Sequence, residues 1–134
     1  MGADFHAKGL ADDKCYHGGY ITLCNFKLAL AKKFNKEGGE LLEYFWIQKR
    51  GCDKEIAERL NTMFTEGQRM ILFSNDCDDK WIPKESKLAY LAIKDIELNF
   101  WHKNYHSDKQ QNLLELFKGM FYYSWKRRVN LYVL

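Results

Sequence analysis

No run in this sequence approaches the roughly twenty consecutive apolar residues of a helical membrane span, so none is expected. The opening Met1-Gly2-Ala3-Asp4-Phe5-His6 puts an acid where a secretory leader carries bases. His6 also stands where an N-myristoylation motif carries Ser or Thr. The chain is therefore expected to be cytoplasmic. There is no Cys-x-x-Cys pair: Cys15, Cys24, Cys52 and Cys77 are dispersed, and reduced thiols are expected rather than two disulfides. Charge of one sign is not in excess, since the net charge is only +3, and that balance alone does not point to nucleic acid. Glycine-rich phosphate loops, nucleophile triads and paired-carboxylate patterns are missing too. No catalytic residue and no resident cofactor is therefore expected.

What is present is apolar and aromatic. Of 134 residues, 46% are hydrophobic and 16% aromatic, enough for one core without metal or disulfide staples. No repeat, low-complexity run or linker divides the chain, so a single domain over 1–134 is expected.

Periodicity predicts about five helices. Residues 3–8 alternate and end at Gly9, as a short strand would. Leu23, Phe26, Leu30 and Phe34 step by three and four on a helix from a Thr22 cap to Asn35, stopped by Gly38-Gly39. A second helix spans 40–49, and a third, capped by Asp53, spans 54–66 and stops at Gly67. Residues 68–73 are too short to type. Pro83 suits the first turn of a helix running to about Ile96. Residues 97–106 read as an irregular connection, and Ser107 with Gln110 reads as a capping box opening the last helix. The alternating end, 128–134, is a strand that needs a partner, and the N-terminal strand is the obvious one. The predicted fold is α+β: a helical layer packed on a small antiparallel sheet that includes both termini.

The sharpest local motif is the acidic loop Ser74 to Glu85. An EF-hand loop takes ligands at positions 1, 3, 5, 7, 9 and 12, with glycine at 6 and an apolar residue at 8. With Glu85 at 12, Ser74 falls at 1, Asp76 at 3 and Asp78 at 5. Lys80 offers its carbonyl at 7, and Trp81 is the apolar residue. Ser74 lacks the leading charge and Asp79 replaces the turn glycine. Any calcium binding would therefore be weak, and a structural turn into the helix at Pro83 is favoured over an ion site.

Other constellations are less specific. His102 and His106 have the i, i+4 spacing of a metal pair, and Cys15 and His17 would supply two further zinc ligands if they met them in space. Lys126, Arg127 and Arg128 follow Phe121-Tyr122-Tyr123-Ser124-Trp125, a basic cluster beside aromatics that would suit nucleic acid. Cations at a helix C-terminus, where the dipole favours them, explain the same residues more simply.

The opening Met1-Gly2-Ala3-Asp4-Phe5-His6, the loop Asp76-Cys77-Asp78-Asp79-Lys80-Trp81-Ile82-Pro83-Lys84-Glu85 and the closing Lys126-Arg127-Arg128-Val129-Asn130-Leu131-Tyr132 together resemble small uncharacterised proteins of phages and prophages. In that family the loop more often reads Asp-Cys-Asp-Gly, so Asp79 and Ser74 are departures. The resemblance implies no enzyme activity. It implies a stoichiometric antagonist of bacterial defence, of the anti-CRISPR kind, that covers a surface of a host or defence protein. Trp46, Trp81, Trp101, Tyr105 and Tyr123 are the candidate interface anchors, provided they are exposed.

Overall fold

The computed structural model describes residues 2–76 and 79–134. The strands are β1 (Gly2–Ala7), β2 (His17–Gly19), β3 (Asp79–Trp81), β4 (Trp101–Lys103), β5 (Gln110–Asn112) and β6 (Leu131–Val133). The helices are α1 (Tyr20–Phe34), α2 (Lys36–Ile47), α3 (Lys54–Met63), α4 (Glu66–Leu72), α5 (Pro83–Ile93) and α6 (Leu113–Arg127). A 3-10 turn at Asp12–Lys14 lies between β1 and β2.

β1 is where the two ends of the chain meet. It pairs antiparallel with β2 and with β6, Phe5 standing opposite Val133 and Ala7 opposite Leu131. β3 closes the far side of β6, giving the order β2-β1-β6-β3. The period of two is clean: Ala3, Phe5 and Ala7 of β1 and Leu131 and Val133 of β6 face the core. The fold is thus α+β, with strands from near both ends in one small antiparallel sheet.

α6 runs through the core, burying Leu113, Leu114, Phe117, Met120, Phe121 and Ser124. It packs closely on α5, where the Ser86 hydroxyl donates to Ser124 Oγ at 2.8 Å and Ser124 in turn donates to the Val129 carbonyl at 2.6 Å. A second apolar cluster, around Leu42, Leu60 and Phe64, joins α1, α2 and α3.

Several boundaries differ from the sequence reading. α1 begins at Tyr20 behind Gly19, with no side-chain cap at Thr22. α2 begins at Lys36 because the Asn35 side chain caps it, accepting from Gly38 N at 3.0 Å. Gly38 and Gly39 therefore lie inside a helix. They are there for packing, since a Cβ on Gly39 would come within 2.5 Å of the Lys32 backbone nitrogen of α1. Gly67 likewise sits inside α4, which a Thr65–Gln68 capping box starts, and its missing side chain lets α4 approach the Leu88 carbonyl of α5. The Ser107–Gln110 box does not form: Gln110 belongs to β5, and α6 starts at Leu113 under an Asn112 cap. Residues 97–106 contain β4, which pairs with β5 in a hairpin.

Candidate functional site

The β1–β2 pairing sets Asp4 directly opposite His17. Opposed residues share a face of the sheet, and here the His17 imidazole meets the Asp4 carboxylate, Nδ1 to Oδ1, at 2.7 Å. The turn at Asp12–Lys14 brings Asp12 Oδ1 to 2.9 Å from His17 Nε2. The β4–β5 hairpin then folds over this face. Its Tyr105 backbone N–H donates to the His17 carbonyl at 3.0 Å. Asn104, fully buried, fixes the hairpin turn by accepting from the His106 and Ser107 backbone N–H groups at 2.8 and 3.2 Å. Asp108 makes the turn possible by adopting φ +58°.

The result is a stack of two imidazoles between two carboxylates. The His17 and His106 rings lie 3.7 Å apart and 19° from parallel. His106 Nδ1 is 2.9 Å from Asp12 Oδ2, and its Nε2 is 3.5 Å from Asp4 Oδ1. His17 is buried, whereas Asp4, Asp12 and His106 open to solvent. The His106 hydrogen bond, with His17 beside it, holds the Asp12 carboxyl below the ordinary aspartate value. Among the described residues this is the one grouping of His, Cys, Asp and Glu side chains, formed by Asp4, His17 and His106, compact enough to hold a metal ion.

His102 does not join it. It lies on β4, packs on the Tyr16 ring at 5.0 Å and meets Gln111 Oε1 at 3.2 Å. Burial holds it below the usual histidine value. Cys15 is buried, and its thiol faces the Ala11 carbonyl. The i, i+4 histidine pair of the sequence is thus split across a hairpin, and only His17 and His106 meet. Cys15, Cys24 and Cys52 are free thiols.

On the other side of the hairpin lies an open groove of about 670 Å³. One wall is the face of α6 that carries Leu116, Gly119, Tyr122, Tyr123, Lys126 and Arg127, spaced as one helical stripe. The opposite wall is Trp101 with Leu10 and Lys14. Trp101 and Tyr105 are 61% and 66% exposed, so two of the candidate anchors stand in solvent; Trp81, at the end of β3, is buried, and Trp46 and Tyr123 are half-buried. The groove's carboxylates are already paired, Asp13 with Lys109 and Glu115 with Lys118. Lys14, Lys126 and Arg127 make no ion pair among the described residues. Instead Lys126 Nζ lies 3.9 Å from the Trp125 ring centre, and Arg127 lies over Tyr123. Arg128 is exposed and ends α6 at φ +56°.

The acidic loop holds a lysine. Lys27 of α1, buried, extends its ammonium to the Ser74 carbonyl at 3.1 Å, Ser74 Oγ at 3.2 Å and Asp76 Oδ1 at 2.8 Å. Lys80 lies in β3 opposite Tyr132, and Glu85 accepts from the Ile82 backbone N–H at 3.0 Å at the start of α5. Asp78, with Cys77, lies outside the described residues.

In comparisons with known proteins the chain matches no family model, no curated protein and no solved structure.

Proposed function

We propose that this chain is a non-enzymatic interaction protein, phage- or prophage-borne, that binds and blocks a host or defence protein through the groove between α6 and the β4–β5 hairpin. The observation that carries the reading is the groove's chemistry: exposed Trp101 and Tyr122 beside three cations without ion-pair partners among the described residues. Aromatic and arginine side chains are the usual anchors of protein interfaces. Cations left unpaired at the rim steer an oppositely charged partner. The partner surface that fits is acidic, with an apolar side chain for the space between Trp101 and Tyr122.

The test is a pull-down from bacterial lysate with wild type and with a folded Trp101→Ala/Lys126→Glu variant. A protein retained by wild type and lost by the variant, then bound directly in purified form, supports the reading. Identical retention by both proteins refutes it.

A second reading, nucleic-acid binding through Lys126, Arg127 and Arg128, draws support from Lys126 and Arg127 lying beside aromatic rings. It requires affinity for single-stranded oligonucleotides that falls steeply with salt. The calcium reading has less support, because an ion at Ser74 and Asp76 has to displace the Lys27 ammonium.

A further inference from the structure

Each of the four ring nitrogens of His17 and His106 lies within 3.5 Å of an Asp4 or Asp12 carboxylate oxygen. Two neutral imidazoles have only two N–H groups between them. Two nitrogen lone pairs would then face carboxylate oxygens, with both acidic charges uncompensated. His17 makes the conflict acute, because it is 3% exposed and cannot turn to water. Its Nε2 sits 2.9 Å from Asp12 Oδ1 yet makes no directed hydrogen bond. Two further positive charges balance the cluster: protonating both rings would supply them but would stack two imidazolium cations 3.7 Å apart, whereas one divalent ion supplies both without that repulsion.

We propose that Asp4, His17 and His106 bind one transition-metal ion of the zinc, cobalt and nickel class, with Asp12 orienting the two imidazoles. The three ligand atoms lie within 4.8 Å of one another. Asp4 Oδ1 is 2.7 Å from His17 Nδ1 and 3.5 Å from His106 Nε2. A tetrahedral zinc ion with bonds of about 2.0–2.1 Å places its ligand atoms about 3.3 Å apart, so these spacings need only small adjustment. Behind the rings stands Asp12, one oxygen beside each remaining nitrogen. A carboxylate in that position fixes the tautomer and aim of a metal-bound imidazole.

The stacked rings have to splay, since in-plane lone pairs of parallel rings do not converge on one point. His17 is locked beneath the hairpin, whereas His106 is half exposed and has room to swing. The ion enters from the open side formed by Asp4 and His106. Three protein ligands leave a position for water. Two imidazoles favour borderline ions over calcium or magnesium, which prefer an all-oxygen shell.

The test uses tag-free, chelator-treated protein titrated with cobalt(II) and followed in the visible region, with zinc(II) added in thermal melts. Wild type is expected to bind one equivalent. Its Tm should rise by at least roughly 5 °C at about a hundred times Kd. Binding should be lost in His106→Ala and in Asp4→Asn, each first shown to be folded by circular dichroism, and kept in His6→Ala. The proposal is overturned if folded wild type takes up no stoichiometric ion, or if His106→Ala and Asp4→Asn bind as wild type does. Cobalt–thiolate charge-transfer bands, or an equal Tm rise with calcium, overturn it as well.

Discussion

Gly119 links the stability of α6 to the groove on its outer face. It lies in the middle of a fifteen-residue helix, where glycine costs about 0.5–1 kcal/mol relative to alanine. No packing explains it, because a Cβ built there meets nothing within 4 Å. Gly119 lines the groove with Trp101 and Tyr122, and the missing side chain leaves that space open. Gly119→Ala should therefore stabilise the protein by about 0.5–1 kcal/mol, or roughly 2–5 °C in Tm for a chain of this size. Gly119→Leu should fold as well as wild type but fill the groove, so that it loses in the pull-down the partner binding proposed for that face. The same alanine substitution at Gly39 should have the opposite sign. There the new Cβ meets the Lys32 backbone nitrogen at 2.5 Å and Cα at 2.6 Å, and neither can yield without separating α1 from α2. Overpacking of that kind costs about 1–3 kcal/mol even after the helix-propensity gain. Thermal and urea melts of the variants measure all three. A fall in stability for Gly119→Ala would refute the claim that this position faces open space.

Lys27→Met should destabilise by about 2–3 kcal/mol, below the 3–5 typical of a fully buried pair because Asp76 keeps some water contact; urea melts read it, and a cost under about 0.5 kcal/mol would mean that the loop oxygens are not committed to the ammonium. Millimolar calcium should leave the wild-type Tm unmoved; a rise that is lost in Asp76→Asn would show that calcium displaces Lys27. Burial pushes the Cys15 thiol up to about 11, so it should stay unmodified by iodoacetamide at pH 8 while exposed Cys52 reacts, as mass spectrometry would show. Rapid native-state labelling of Cys15 would contradict that.

Much of the fold is legible where the signal is local. Asp53 is the cap of α3, Pro83 opens α5, and the alternation of 131–133 with that of 3–7 puts both ends in one sheet. The misses have one physical cause, which is that tertiary packing overrides local propensity. Gly38-Gly39 and Gly67 look like helix breakers, yet each lets one helix approach another. The Asn35 cap, three residues before Gly38, was the available sign that α2 starts early. β4 and β5 are only three residues long, and nothing in the polar Gln110-Gln111-Asn112 marks a strand without its partner. The histidine–aspartate cluster was still less legible, since Asp12 and His106 stand 94 positions apart and only the hairpin brings them together. The α6 stripe carried a usable signal: its aromatics and cations recur at helical spacing on the side away from Phe117 and Phe121.

The groove between α6 and the β4–β5 hairpin is proposed to take an acidic, apolar-anchored segment of another protein. Selection of peptides from a random display library on the immobilised protein tests it whatever the identity of the partner. The expected result is enrichment of sequences that join acidic residues to an aromatic or aliphatic anchor, with binding at least about tenfold weaker to Trp101→Ala/Tyr122→Ala. Enriched peptides that bind this variant as tightly as wild type, or that are basic, would show that the groove is not the binding surface.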